Sequence, residues 1–103
     1  MPERNKRGNN VIKIRIRAFA RFREIFGEET ELSVPDGTTL AGALAEFAAR
    51  SPEGRGALYE PGGALHRYVV LMKNGARIGH ASAGADVLRE GDELVVYPPV
   101  AGG

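Results

Sequence analysis

The 103-residue sequence predicts an α+β fold in which a mixed sheet of four to five strands packs on one main helix. Three observations carry this expectation. A run beginning at Val11 alternates apolar and cationic residues with period 2. One later stretch, around Leu40, Leu44 and Phe47, has the three- and four-residue spacing of an amphipathic helix. Beyond it, the turn pairs Asn74-Gly75 and Gly91-Asp92 are flanked by β-rich segments. Strands on both sides of a single helix give the order β-β-α-β-β-β.

Residues 1–10 (MPERNKRGNN) hold too few apolar groups to offset ordering entropy, and are expected to form a flexible polar tail. In VIKIRIRAF, Ile12, Ile14, Ile16 and Ala18 share one face, and Lys13, Arg15 and Arg17 the other. Because its buried face is uninterrupted, this strand is expected in the middle of the sheet. ARFREIFGEE connects it to TELSV, where Thr30, Leu32 and Val34 alternate with Glu31 and Ser33 before Pro35-Asp36-Gly37 ends the run. Phe22, Ile25 and Phe26 in the connection are expected to pack on the core, while Arg21 and Arg23 either guide an acidic partner or belong to a short helical turn.

TTLAGALAEFAAR reads as the helix, with Thr38 or Thr39 as N-cap and an end before Pro52. Gly42 costs that helix about 1 kcal/mol relative to alanine, and is expected to let it approach the sheet. Ser51 to His66, where Pro52, Gly54, Gly56, Pro61, Gly62 and Gly63 break any period, reads as a long surface loop pinned by Leu58, Tyr59 and Leu65. Asn74 and Gly75 both tolerate positive φ, so a tight hairpin joins YVVLM to ARIG, with Val70 and Met72 expected inward and Val69 and Leu71 outward. Glu93 to Tyr97 forms the last strand, placing Leu94 and Val96 inward. The economical packing of these elements is a β-grasp-like sheet over residues 11–97.

Composition narrows the function. Fourteen Lys+Arg against thirteen Asp+Glu leave a formal charge of +1, so no global field draws the chain to nucleic acid or to an anionic membrane. No apolar run approaches the roughly 20 residues that span a bilayer. The absence of cysteine removes disulfides, thiolate metal sites and a cysteine nucleophile, and points to a reducing, cytoplasmic setting. His66 and His80 stand apart with no carboxylates at ligand spacing, so no metal site is expected. One small core and two histidines leave little with which to build an independent active site. The chain is expected to be a component whose chemistry another protein completes, and not an enzyme.

The final six residues, PPVAGG, bury almost nothing and are the least explicable as packing. Pro98 and Pro99 stiffen the exit from the last strand. Val100 and Ala101 continue the leash, and Gly102 and Gly103 pass where no Cβ fits. The carboxylate of Gly103, with a pKa of about 3.3–3.7, is ionised at neutral pH. It is a weak oxygen nucleophile suited to the α-phosphate of ATP held on a separate enzyme. The acyl-adenylate so formed yields a thiocarboxylate with a sulfur donor, or an isopeptide with a lysine amine. The bland alternative is a frayed tail.

FARFREIFG (Phe19 to Gly27), VPDGTTL (Val34 to Leu40) and LREGDELVVYPPVAGG (Leu88 to Gly103) resemble the ubiquitin-like sulfur-carrier family. Within it the chain is similar to the small subunit of molybdopterin synthase and to the archaeal small modifier proteins, over residues 11 to 103. The resemblance implies a β-grasp fold, no bound cofactor, and activation of Gly103 by an E1-like adenylating enzyme that uses ATP in trans. It further implies conjugation to target-protein lysines, sulfur delivery with a molybdopterin synthase large subunit, or both. The KNGARIG hairpin and the VYPPVAGG ending lean toward the small modifier branch. The ten-residue N-terminal extension and the 51–66 segment are not required by that pattern.

A second candidate site is the sheet face away from the helix, where Lys13, Arg15 and Arg17 rim Val95 and Tyr97. Partner docking is expected at Tyr97 because it adjoins the tail; for the cations the alternative is a solvated face. Asp36, Asp86 and Asp92 adjoin turns, where acidic side chains cap backbone donors. A different class of reading is a noncovalent β-grasp interaction domain acting through the basic face.

Overall fold

The computed structural model describes residues 10–98. Apart from Asn10 and Pro98, the two tails expected from the sequence, 1–10 and 98–103, lie outside the described residues. The elements run β1 (Val11–Ala18), α1 (Arg21–Phe26), β2 (Glu29–Pro35), α2 (Leu40–Ala48), α3 (Pro52–Leu58), β3 (Val70–Lys73), β4 (Ala76–Ile78), α4 (His80–Ala83) and β5 (Glu93–Tyr97). The five strands form one mixed sheet in the order β2-β1-β5-β3-β4. This is the expected strand order along the chain, with three short helices added to the main one.

Alternation sets the β1–β2 hairpin. Ile12 faces Val34 and Ile14 faces Leu32 in antiparallel register, so the apolar side chains of both strands fall on one face. β1 then pairs in parallel with β5, Ile16 beside Leu94 and Ala18 beside Val96. That pairing corrects one expectation: β1 is interior, but the central strand is β5. The helix-bearing segments between β2 and β5 supply the long crossover that a parallel pair requires.

Thr39 caps α2, its hydroxyl accepting from the Gly42 N–H at 3.1 Å. Leu40, Ala43, Leu44, Phe47 and Ala48 form the buried stripe of that helix. Gly42 is exposed and faces away from the sheet, and a Cβ there would touch only Thr38 and Thr39 at 3.4 Å. Its role is to donate to the cap, not to allow close approach.

The 51–66 segment departs from the expected loop. Ser51 caps α3 by accepting from the Gly54 N–H at 3.0 Å, and Pro52 takes the first helical position, where a missing N–H costs nothing. α3 packs through Gly54, and a Cβ there would lie 2.4 Å from Phe26, whose ring stacks on Phe47 at 4.4 Å. The bare glycine is what lets α3 sit on that aromatic pair.

The phase of β3 is the opposite of the one expected. Val69 and Leu71 are in the core; Val70 is buried as expected, but on the other face, where it pairs with Tyr97, and half-buried Met72 pairs there with Val95. YVVLM is apolar throughout, so it carries no alternation to read. The register with β5 decides which side turns inward. The β3–β4 connection is the expected two-residue turn, with φ of 51° at Asn74 and 87° at Gly75.

Candidate functional site

The candidate site is the end of β5, where the chain leaves the sheet. Tyr97 is the last strand residue, half-buried on the outer face, and half-buried Pro98 follows it. Pro99, Val100, Ala101, Gly102 and Gly103 lie outside the described residues. What the structure supplies is the platform from which that segment departs.

The platform is built by the ends of three elements. The Phe19 N–H donates to the Val96 carbonyl at 3.2 Å, carrying the β1–β5 ladder one residue past β1. The Phe19 ring meets Tyr97 edge-on at 6.4 Å, and the Arg17 guanidinium lies over Phe19 at 5.3 Å from its centroid. The chain then turns through Ala20, whose φ of 56° and ψ of −134° lie in a region that costs a non-glycine residue about 1–3 kcal/mol. That turn enters α1 and aims Arg21 back over the sheet end, where its Nη2 donates to the Tyr68 hydroxyl at 3.0 Å.

The outer sheet face brings together the residues assigned to docking. Val95 and Tyr97 line up with Met72 and Val70 into a partly covered apolar strip. Lys13 and Arg15 are exposed beside it, and Arg17 is half-buried. Arg15 lies 3.5 Å from Glu29 and Arg17 lies 3.8 Å from Glu93, so the face carries far less net charge than β1 alone presents. Such exposed pairs contribute little to stability. Their effect is to leave an apolar strip with a mixed-charge rim, the composition of a protein-binding patch.

Away from this end, Asp92 locks the base of β5. Its carboxylate accepts from the Asn74 side chain and from the Arg89 N–H, both at 2.8 Å. Burial raises its pKa, but the Asn74 and Arg89 hydrogen bonds, with the charges of Lys73 and Arg89, outweigh burial and hold it below the usual carboxylate value. Asp86 accepts from Lys73 Nζ at 2.6 Å. Asp92 thus caps a backbone donor at its turn, as expected from the sequence, whereas Asp86 is held by a lysine side chain instead.

On the helical side a cleft of about 530 Å³ opens between α2, α3 and the segment after it, lined in part by Ala48, Arg55, Tyr59 and His66. Tyr59 is half-buried, which pushes its hydroxyl pKa up, and the His66 ring nitrogen is engaged with the Gly56 carbonyl at 3.1 Å. Among the described residues no three His, Asp or Glu side chains converge as a metal site. No helix there is long and apolar enough to cross a membrane.

Known proteins share this architecture and this sequence pattern. Small archaeal modifier protein 3 of Haloferax volcanii is 34% identical over 93 residues, which is 89% of this chain and 100% of that protein. The crystal structure of small archaeal modifier protein 1 from the same organism superposes with a TM-score of 0.78 at 25% identity, covering 88% of this chain and 99% of that one. A putative molybdopterin converting factor subunit 1 from Pyrococcus furiosus matches with a TM-score of 0.64 at 26% identity, over 86% and 99% of the two chains.

The fold is thus a ubiquitin-like β-grasp, and the class is that of the small modifiers and sulfur carriers. The family model described as the ThiS family matches residues 16–103, and the chain belongs to that family. Small modifier and sulfur-carrier proteins are generally not catalysts themselves.

The sequence missed Tyr68 as part of the platform and His66 as part of the cleft. Tyr68 looked like a generic strand residue, and His66 a stray histidine. Nothing local marks them, because their partners Arg21 and Gly56 are brought to them only by folding.

Proposed function

We propose that the chain is a ubiquitin-like modifier whose Gly103 carboxylate is adenylated by an E1-like enzyme using ATP and then joined to lysines of target proteins. The carboxylate oxygen attacks the α-phosphate and pyrophosphate leaves. The lysine amine, directly or after a partner thiol has formed a thioester, then displaces AMP or that thiol and loses a proton. Gly102 gives clearance, and Pro98, Pro99, Val100 and Ala101 form the leash. Tyr97 and Val95, rimmed by Lys13, Arg15 and Arg17, dock the activating enzyme. The chain binds no cofactor of its own and acts in the cytoplasm. The single observation that carries this reading is the full-length match to small archaeal modifier protein 3, which spans all of that protein.

A second reading is a sulfur carrier, with a thiocarboxylate at Gly103 delivered to a molybdopterin synthase large subunit. The likeness to the putative molybdopterin converting factor subunit favours it, and one protein can serve both roles because both start from the same adenylate.

Intact-mass analysis of protein recovered from its own cells, with a search for the tryptic remnant, residues 90–103, isopeptide-linked to lysines of other proteins, tests the assignment. Remnants that vanish when Gly102 and Gly103 are deleted support the modifier; an oxygen-to-sulfur mass shift with no remnants supports sulfur transfer alone. Full biological activity in the deletion variant would overturn both carrier readings and leave a noncovalent interaction domain.

A further inference from the structure

The contacts around the end of β5 close into a ring. Tyr97 touches Phe19, Phe19 precedes Arg21 by two residues, Arg21 is bonded to Tyr68, and Tyr68 precedes by two residues Val70, which pairs with Tyr97. Tyr97 is a member of this ring and Pro98 follows it directly, so a partner that takes the chain end next to Pro98 comes close to the ring.

Two cations stand on the rim of that ring, Arg17 over Phe19 and Arg21 over Tyr68. The Nη2 of Arg21 is fixed by the Tyr68 hydroxyl, and its guanidinium carbon lies 5.6 Å from the Tyr68 ring centroid and 5.9 Å from that of Phe22. Tyr68 is itself braced, because His66 stacks on it at 4.9 Å and 9° while bonding the Gly56 carbonyl of α3. A role for the 51–66 segment follows, since it props the residue that props Arg21. Neighbouring arginines are committed to carboxylates, Arg15 to Glu29, Arg17 to Glu93 and Arg23 to Glu28 at 3.7 Å. Among the described residues Arg21 makes no ion pair. A guanidinium has five N–H donors in a rigid fork, so most of the fork of Arg21 remains open and its orientation is already set.

We infer that the Arg21–Tyr68 pair reads a carboxylate on an acidic surface of the E1-like activating enzyme, as a specificity element at the base of the tail. The inference rests on the carrier reading above. A fork of this kind takes carboxylate or phosphate, and reach decides between them. Five residues separate Pro98 from the end of Gly103, a span of at most about 16 Å; in the carrier reading the enzyme draws them out extended to reach its ATP, which carries the phosphates away from Arg21. The group it meets is on the enzyme's surface. Because the side chain is held before binding, little rotamer freedom is lost on docking.

The test is titration of the full chain with purified E1-like adenylating enzyme from the same cells, at low and high salt, alongside steady-state adenylation. Arg21→Glu is expected to weaken binding at least tenfold at low salt, with the loss appearing in the half-saturating carrier concentration more than in turnover. Arg21→Lys keeps charge without the fork and should fall between, and Tyr68→Phe, which frees the guanidinium, should cost about two- to fourfold. Unchanged melting temperatures establish that the variants are folded. Binding by Arg21→Glu within twofold of the parent at low salt, with the parent adenylated normally, overturns this inference alone. Parent protein that binds the enzyme but is never adenylated overturns the carrier reading; a weakened Arg21→Glu would then still uphold the contact. No binding by the parent overturns both.

Discussion

The Asn74 side-chain Nδ2 donates to the Asp92 carboxylate at 2.8 Å, and the side-chain Oδ1 of Asn74 accepts from the Glu93 N–H at 2.9 Å. One residue in the β3–β4 turn thereby fastens both the turn before β5 and the first residue of β5. The strand that carries the tail is anchored at its base by the hairpin beside it.

Asp92→Asn is therefore expected to cost about 1–3 kcal/mol, the usual penalty for a buried group stripped of one partner. The pH dependence has a definite sign. The folded carboxyl lies below its ordinary value of 3.8, so its contribution is complete above that value and is lost as the pH falls through the lower folded one. Denaturant titrations between about pH 5 and pH 2 should show a shallower decline for Asp92→Asn than for the parent. Equal slopes would mean that the network contributes nothing.

Two glycines of α3 should respond oppositely to alanine. At Gly54 the new Cβ would lie 2.4 Å from Phe26 Cε1, and overpacking of this kind costs about 1–3 kcal/mol. At Gly56 nothing stands within 4 Å of the Cβ position, so the helix gains about 0.5–1 kcal/mol. Thermal unfolding of the two single variants measures both, and a shared sign would contradict the packing of α3 on Phe26.

Ala20 holds a backbone conformation that glycine adopts freely. Relief of strain should outweigh the extra freedom of the unfolded chain, so Ala20→Gly is expected to raise stability by about 1 kcal/mol. A melting temperature at or below that of the parent would show the turn to be unstrained.

Docking through the outer face predicts unequal effects on affinity for the activating enzyme. Tyr97→Ala removes an aromatic anchor beside the exit and should weaken binding about 30-fold, the scale of a 2 kcal/mol hot spot. Arg15→Ala removes a charge already shared with Glu29 at 3.5 Å and should change affinity less than about threefold. Calorimetric titration distinguishes the two, and a larger loss from Arg15→Ala would move the interface toward β1.

Much of the fold was legible because the signals were local. Ile12, Ile14 and Ile16 alternate with cations, Leu40, Leu44 and Phe47 repeat at helical spacing, and Asn74-Gly75 demands a tight turn; each acts over a few residues. α3 was legible only in retrospect. The Ser51-Pro52 start is a cap followed by an N1 proline, but Gly54 and Gly56 made the stretch look like loop.

Period and turn preference need no tertiary partner, and they were enough for the β-grasp class, the order of the strands and the main helix, and the apolar face of β1. Only the tertiary structure decided that β5 is central, that Val69 and Leu71 turn inward, and that Arg21 meets Tyr68. The physical reason is common to all three. A uniformly apolar strand has no preferred face, and a cation has no preferred partner, until register with distant segments assigns one.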